Sequence, residues 1–478
     1  LTDDDILSAD MVFVTAMIVQ KDSFASVVAR CNRLHTPVVA GGPYPTSLHE
    51  TIPGVDHFIL GEAEELVPLF LREFSAGACR RIYRSAGRPD ITRTPVPRFD
   101  LVDMDLYNCV SLQFSRGCPH RCEFCDIVHL FGNIPRTKRP EQFLREMDAA
   151  YRTGFTGSLF IVDDNFIGNR RNVKELLRAV IPWQEARGYP FEIITEASLD
   201  LAADDELITL MLKAGFSTVF IGLETPVAES LAETGKLLNR KMDILESVKK
   251  LQRAGLEVTG GFIIGFDSDP ETIFDRQIEF IRELAVPTAM IGLLMALPNT
   301  VLYNRLLSEG RIRADSEGNN THAVRMNFVP RMEENLLYEG YRRVLRTIYT
   351  PKTYFRRAYS LITRLPASRA KPVYRSGRPL TRRELRAFGR SLTRQGFSSY
   401  GIRYIGFMLK VLITRPGFIP FATLMAIQGE HFFRITREMA RPRAAERSLA
   451  KEKKMSTIKG ASRYGGVRAG TTIRTATE

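Results

Sequence analysis

The sequence predicts an α/β protein in three parts: an N-terminal, incomplete Rossmann-like unit, a partial (β/α)6 barrel of the TIM type, and a helical C-terminal extension. Three observations carry this reading. Short apolar runs alternate with helical patterns from residue 11 to residue 309, as βα units around a parallel sheet do. Glycines and polar residues recur just after those runs, at the strand ends where such folds place their sites. Beyond residue 310 the alternation stops and helical periodicity takes over.

Residues 11–14 (Met-Val-Phe-Val), 37–40 (Pro-Val-Val-Ala) and 57–60 (His-Phe-Ile-Leu) read as strands, with helical patterns near 22–34 and 62–74. Residues 1–75 thus form an α/β unit of about three strands, where a complete unit of this kind has about five. Residues 76–109 are rich in Arg, Pro and Asp and read as a linker, extended at Pro95-Val-Pro97. From 110 the alternation is regular, with strands at 110–114, 158–162, 191–195, 218–222, 257–264 and 288–295. Helical patterns lie between them, and Gly154, Gly215 and Gly255 each follow one, as C-terminal caps do. Six successive βα units over 110–310 favour a barrel over a doubly wound sheet, although periodicity alone does not separate the two. Residues 311–433 are mainly helical, and 434–478 form a basic tail expected to be disordered.

The composition is that of a large globular chain: 478 residues, 44% apolar and 25% charged, enough for several cores without disulfides. Cys31, Cys79 and Cys109 are scattered and read as buried thiols, which fits a reducing cytosol. Leu1-Thr-Asp-Asp-Asp5 carries no leader, and the start lies so close to the first strand that the true N-terminus is expected to be missing. No run reaches the ~18–20 apolar residues of a membrane span. Residues 331–478 carry 32 Lys and Arg against 9 Asp and Glu, whereas the remainder carries 35 against 45. Such asymmetry points to a polyanion or an anionic membrane surface, or else to a merely solvated tail. Residues 416–428, apolar and flanked by Lys410, Arg415 and Arg434, read either as an interfacial anchor or as a packed helix. The expected location is cytoplasmic, with peripheral contact at the inner membrane face.

Chemistry concentrates in Ser115-Arg-Gly-Cys-Pro-His-Arg-Cys-Glu-Phe-Cys-Asp126. Cys118, Cys122 and Cys125 are spaced C-x3-C-x2-C, with no fourth Cys nearby. A structural zinc takes four ligands, so a zinc knuckle would need His120 or His129. Three soft thiolates suit a [4Fe-4S] cluster with one iron left open.

With aromatic Phe124 before the last Cys, opening a βα barrel, this segment resembles the radical S-adenosylmethionine (radical SAM) enzymes over residues 110–310. Gly41-Gly-Pro43 and Gly61-Glu62 resemble the cobalamin-binding domain that precedes the barrel in one subclass. Ile161-Val-Asp-Asp-Asn-Phe-Ile-Gly168, Ile221-Gly-Leu-Glu-Thr-Pro226, Gly261-Phe-Ile-Ile-Gly265 and Ala296-Leu-Pro-Asn-Thr-Val-Leu-Tyr303 are similar to that subclass, nearest to the hopanoid methylase group. The resemblance implies a [4Fe-4S] cluster on the three cysteines, S-adenosyl-L-methionine on its open iron, and cobalamin. It also implies an electron donor of the flavodoxin or ferredoxin type. A 5′-deoxyadenosyl radical would take a hydrogen from the substrate, and the carbon would receive a methyl group.

Within that frame the cofactor-binding candidates are Phe124, Asp163, Asp164, Asn165, Glu196, Glu224, Gly261, Gly265, Gly41, Gly42, Gly61 and Glu62. Phe124 lines the nucleoside or packs in the core. Asp163, Asp164 and Asn165 receive the methionine ammonium or a substrate hydroxyl, or cap a helix. Glu196 and Glu224 bind ribose or ammonium, or form rim salt bridges. Gly261 and Gly265 let the adenine approach, or mark bulges. Gly41, Gly42, Gly61 and Glu62 admit the cobalamin tail. Arg116 and His120 shape the cluster loop, and Trp183 and His431 read as structural.

The expected function is methylation of an unactivated carbon in a hydrophobic small molecule, of the hopanoid or lipid class. The alternatives are a radical SAM oxidoreductase or cyclase without net methyl transfer, and a metal-bound nucleic-acid-binding protein. No nucleic-acid partner is expected, because the basic tail lacks interleaved aromatics.

Overall fold

Parallel pairing organises two sheets in the computed structural model, which describes residues 2–85, 87–314, 316, 325–370 and 382–439. The first sheet contains β1 (Val12–Thr15), β2 (Val38–Gly41), β3 (His57–Leu60) and β4 (Ile82–Arg84), in that order. Alternate residues of its central strands enter two different cores. Val38, Ala40, Phe58 and Leu60 pack with Phe24 and Val28, while Val39 and Ile59 pack with Phe70 and Tyr83. Helices therefore cover both faces, as a parallel sheet requires.

β4 lies inside the segment the sequence assigns to the linker. Three arginines, Arg80, Arg81 and Arg84, mask it, and only Tyr83 of the strand is buried. A strand of three residues with one buried gives no period to detect.

The second sheet holds β5 (Cys109–Leu112), then β8 (Gly157–Ile161), β9 (Phe191–Glu196), β10 (Phe216–Glu224), β11 (Glu257–Ile264) and β12 (Ala289–Leu293). Between β5 and β8 lies a short antiparallel ribbon of β6 (Ser115–Arg116) and β7 (Arg136–Thr137). In the large sheet each strand pairs in parallel with the next in sequence, and the order never reverses. That rules out a doubly wound sheet and gives a curled half-barrel, open between β5 and β12 among the described residues.

The helical extension closes one open edge. It runs through Glu334–Ile348, Pro351–Arg364, Arg382–Gly396, Gly401–Thr414 and Ile419–Met439. Edge strands carry unpaired backbone groups that need cover. Tyr341 Oη donates to the Ile291 carbonyl at 3.0 Å. Tyr349 Oη donates to the Ala289 carbonyl at 2.6 Å and accepts from the Ala289 amide at 3.1 Å. Barrel and extension share one continuous core, from Val110 to Phe433. The last helix carries the fold into residues 434–439, which the sequence assigns to the tail; residues 440–478 lie outside the described residues. Trp183 stacks on Phe191 at 5.7 Å and donates to Asp148, a core role.

At the N-terminal end of β11 burial pushes the Glu257 carboxyl up to about 7, against the opposing pull of Arg369. The folded state therefore holds a proton that the unfolded chain releases near the ordinary glutamate value. Stability from this group is present below pH 4.5 and is lost as pH rises through about 7. Urea unfolding at pH 5 and pH 8 should reveal a loss on the order of 3 kcal/mol that Glu257→Gln removes.

Candidate functional site

The ribbon of β6 and β7 closes a loop of residues 117–135 that carries all three cluster cysteines. Carboxylates at the end of β8 hold its entry. Asp163 accepts from the Phe114 amide at 2.7 Å, the Ser115 amide at 2.9 Å and Ser115 Oγ at 2.7 Å. Asp164 accepts from the Gly117 amide at 2.9 Å. Gly117 has φ +93°, and a Cβ there would lie 2.8 Å from the Gly132 carbonyl oxygen. Only glycine fits this turn.

The far side of the loop is pinned from later elements. The Glu123 amide donates to the Thr234 carbonyl at 2.9 Å, and the Leu302 amide donates to the Glu123 carbonyl at 2.9 Å. Arg305, on helix Val301–Ser308, pairs with Glu123 at 2.7 Å and with Asp267, beyond β11, at 3.2 Å. Sequence reasoning missed Glu123 and Arg305, because an ion pair between residues 182 positions apart leaves no local signal; Asp267 was legible only as a polar residue at a strand end.

Cys118, Cys122 and Cys125 are free and half-buried. Burial pushes all three thiols up, Cys125 furthest. The Asn165 amide lies 3.9 Å from the Cys118 sulfur, and its orientation is fixed by bonds of 3.1 Å to Ser198 Oγ and from the Ser198 amide. Lys236, which sequence reasoning also missed, ion-pairs with Glu224. Burial works against its ammonium, but the Glu224 carboxylate and the Cys122 sulfur outweigh burial and hold its pKa above the ordinary lysine value. Its one sequence signal is Thr234-Gly-Lys236, a turn with Gly235 at φ +70°.

A pinned loop with three soft thiols, an amide and a half-buried cation beside them fits an iron–sulfur cluster, whose thiolate charge needs such neighbours. A zinc site would require a fourth ligand such as His120 or His129. Among the described residues no group of three or more His, Cys, Asp or Glu is gathered to hold a single metal ion.

The remaining candidates divide. Asp163 is buried with both oxygens occupied, so it clamps the loop and is not free to take an ammonium. Glu224 is the salt-bridged carboxylate of the pair, and Gly222 makes room for it: a Cβ at Gly222 would lie 2.4 Å from the Glu224 carboxylate and 2.5 Å from Lys236 Nζ. Gly265, at φ +105°, turns its bare side to Met326 and Leu337 of the C-terminal part. Gly41 faces the Ile59 carbonyl inside the first sheet. Phe124 packs against the core and against Phe266, 6.4 Å between centroids.

Glu196 is different. It ends β9, and its side chain makes no hydrogen bond or ion pair among the described residues. Burial, then the charge of Asp164, pushes its carboxyl up to about 7. Gly261 lies in β11 beside Gly222 of β10, with its bare side on the Phe220 ring.

Two adjoining cavities separate this site from the first sheet. One, of about 270 Å³, is lined by Thr15, Gly42, Gly61 and Glu62 on one side and Gln113 and Arg116 on the other. The second, of about 320 Å³, joins Met17, Val19 and Tyr44 to Ile127, Asp164 and Leu297. Both lie where the strands of the first sheet end, and Gly42 and Gly61 have φ of +87° and +94°. Open space at Gly61, against which nothing packs, and exposed apolar Met17 and Val19 fit a large, flat cofactor such as a corrin.

Glu62, however, is not free to hold it. Its carboxylate pairs with Arg116 at 2.6 Å and with Arg136 at 2.6 Å. Arg116 also pairs with Glu64 at 2.7 Å. Arg116 and Arg136 face each other across the ribbon. The network ties the end of β3 to the base of the cysteine loop.

Residues 112–292 match a family model described as the radical SAM superfamily, and residues 300–445 match one described as a domain of unknown function, DUF4070. An uncharacterized methyltransferase of Synechocystis sp. is 39% identical over 92% of this chain and 82% of its own length. The hopanoid C-2 methylase of Rhodopseudomonas palustris is 36% identical over 66% of this chain and 60% of its own length. The solved structure of the methyltransferase TsrM from Kitasatospora setae, with cobalamin and a [4Fe-4S] cluster bound, shares the fold over 91% of this chain and 90% of its own, with a TM-score of 0.59 at 14% identity. The cobalamin-dependent radical enzyme OxsB shares it over 96% of this chain and 74% of its own, also with a TM-score of 0.59 at 14% identity.

Proposed function

The chain belongs to the radical SAM superfamily, and on that premise we propose that it is a cobalamin-dependent methyltransferase acting on an unactivated carbon of a hydrophobic, lipid-class substrate. The observation that carries this reading is the 320 Å³ cavity walled by the cysteine loop on one side and by the strand ends of the first sheet on the other. A cofactor there would stand against the cluster loop. The names of the relatives support methyl transfer, and the hopanoid C-2 methylase supports a lipid.

When bound, the cluster supplies the electron that cleaves S-adenosylmethionine, and the cobalamin supplies the methyl group. The protein's own residues do the rest. Cys118, Cys122 and Cys125 hold the cluster, and Asn165 directs its amide at the first of these sulfurs. Glu196, about half protonated near pH 7 when alone, ionises fully as a cation comes to rest beside it, with Asp164 as the second carboxylate. Apolar Met17, Val19 and Val162 keep water from the space between the cofactors. A flavodoxin- or ferredoxin-type protein is the electron source.

Full-length protein, reconstituted without oxygen with iron, sulfide and cobalamin, should release 5′-deoxyadenosine and move a labelled methyl group from S-adenosylmethionine into a lipid. Absence of 5′-deoxyadenosine under reduction would refute the radical chemistry. Deoxyadenosine with an unlabelled, altered product would instead assign an oxidoreductase or cyclase.

A further inference from the structure

Ten of the 26 large apolar side chains exposed among the described residues fall between 385 and 427. They are ordered. On helix Gly401–Thr414, Tyr404, Phe407, Met408 and Val411 are buried. Its opposite face presents Ile402 at 90% exposure, then Ile405, Leu409 and Leu412, spaced three, four and three residues apart. Phe397, 93% exposed, stands in the turn before this helix. Leu424 and Ile427 are exposed as well, on the adjoining helix Ile419–Met439. A soluble chain rarely leaves so much ordered apolar surface uncovered.

The chemistry around the patch selects its cover. Residues 385–429 contain six Lys or Arg and no Asp or Glu. Beside Ile402, Arg346, Lys352, Arg403 and Arg437 line a cavity of about 530 Å³ with no acidic residue in its wall. A second copy would bring like charges together, and residues 440–478, basic themselves, carry the same sign. An apolar stripe bordered by cations fits an anionic lipid surface. No helix among the described residues is long and apolar enough to cross a membrane, so the contact would be in the plane of the interface.

We propose that helices Arg382–Gly396, Gly401–Thr414 and Ile419–Met439 form a peripheral membrane-docking module. It seats Phe397 and the Ile402 stripe among acyl chains and takes a lipid headgroup phosphate in the Arg346–Lys352–Arg403–Arg437 cavity. This assigns a role to the segment matched only as a domain of unknown function, and it stands apart from the radical chemistry.

Full-length protein should co-float with vesicles of phosphatidylcholine containing about 30% phosphatidylglycerol and release at high salt. Pure phosphatidylcholine vesicles should retain little of it. Phe397→Asp with Ile402→Asp, at positions so exposed that the melting temperature should hold, is expected to lower vesicle binding about tenfold or more. Arg346→Glu with Arg403→Glu should weaken binding to anionic vesicles only. The proposal is overturned if the wild-type protein stays free of anionic vesicles, or if the aspartate variant binds as well as the wild type, which would assign binding to the tail. It is likewise overturned if the aspartate variant splits a dimer while vesicle binding is absent, which would give the face to a second copy.

Discussion

Replacing Cys125 by Ser is expected to abolish cluster loading and to cut deoxyadenosine formation by on the order of 10³-fold or more, at least about 4 kcal/mol of lost stabilisation. Cys125 is the thiol that burial pushes up most. Left to itself it stays protonated, whereas a bound metal centre favours its thiolate, and a serine hydroxyl is a poor substitute for soft sulfur. Cys118→Ser and Cys122→Ser should fail the same way. Iron and sulfide content with the visible spectrum of the reconstituted protein checks the loading. The fold should survive, because the loop is held by Asp163, Asp164 and Arg305 and not by the cysteines. A loaded, active Cys125→Ser variant would remove the cluster assignment.

Glu62→Ala is expected to cost about 3–5 kcal/mol and to uncouple the first sheet from the cysteine loop. The Glu62 side chain is 3% exposed and serves two arginines that are themselves 16% and 21% exposed. Its removal leaves Arg136 without a carboxylate and Arg116 with Glu64 alone in a poorly solvated interface, and a buried ion pair that loses one member is far costlier than one replaced whole. Asp100→Asn, which breaks the solvated Arg98 pair at 68% and 59% exposure, should leave stability unchanged. Hydrogen exchange should rise in β3 and across the ribbon of residues 115–137 in the Glu62 variant alone, with weaker cobalamin binding. Unchanged exchange there would show the network to be incidental.

These two sites mark how far the sequence could be read. The cysteine triplet is local, and thiols within eight residues declare a metal whatever the fold does. The strand at 257–264 was legible to its ends because Glu257 and Gly265 bound an apolar run. β10 extends two residues further at each end than its apolar run, since pairing shifts register next to Thr218 and Glu224. The ribbon of β6 and β7 was invisible: two residues per strand, half of them arginine, carry no period. Glu62 read as a cofactor contact because it followed a strand, but its partners lie 54 and 74 residues away. Carboxylates at strand ends are easy to find. Whether each is free, as Glu196 is, or consumed, as Asp163, Glu224 and Glu62 are, depends on partners that only the fold brings near.

The tyrosine hydroxyls on β12 bear on modularity. Because Tyr341 and Tyr349 satisfy the backbone of the last barrel strand, the barrel and the extension cannot be traded independently between proteins. A chain cut after helix Val301–Ser308 would display a bare strand edge ready to zip onto its neighbours. Any orientation imposed on the extension from outside would pass to the mouth of the barrel as to a single rigid lever.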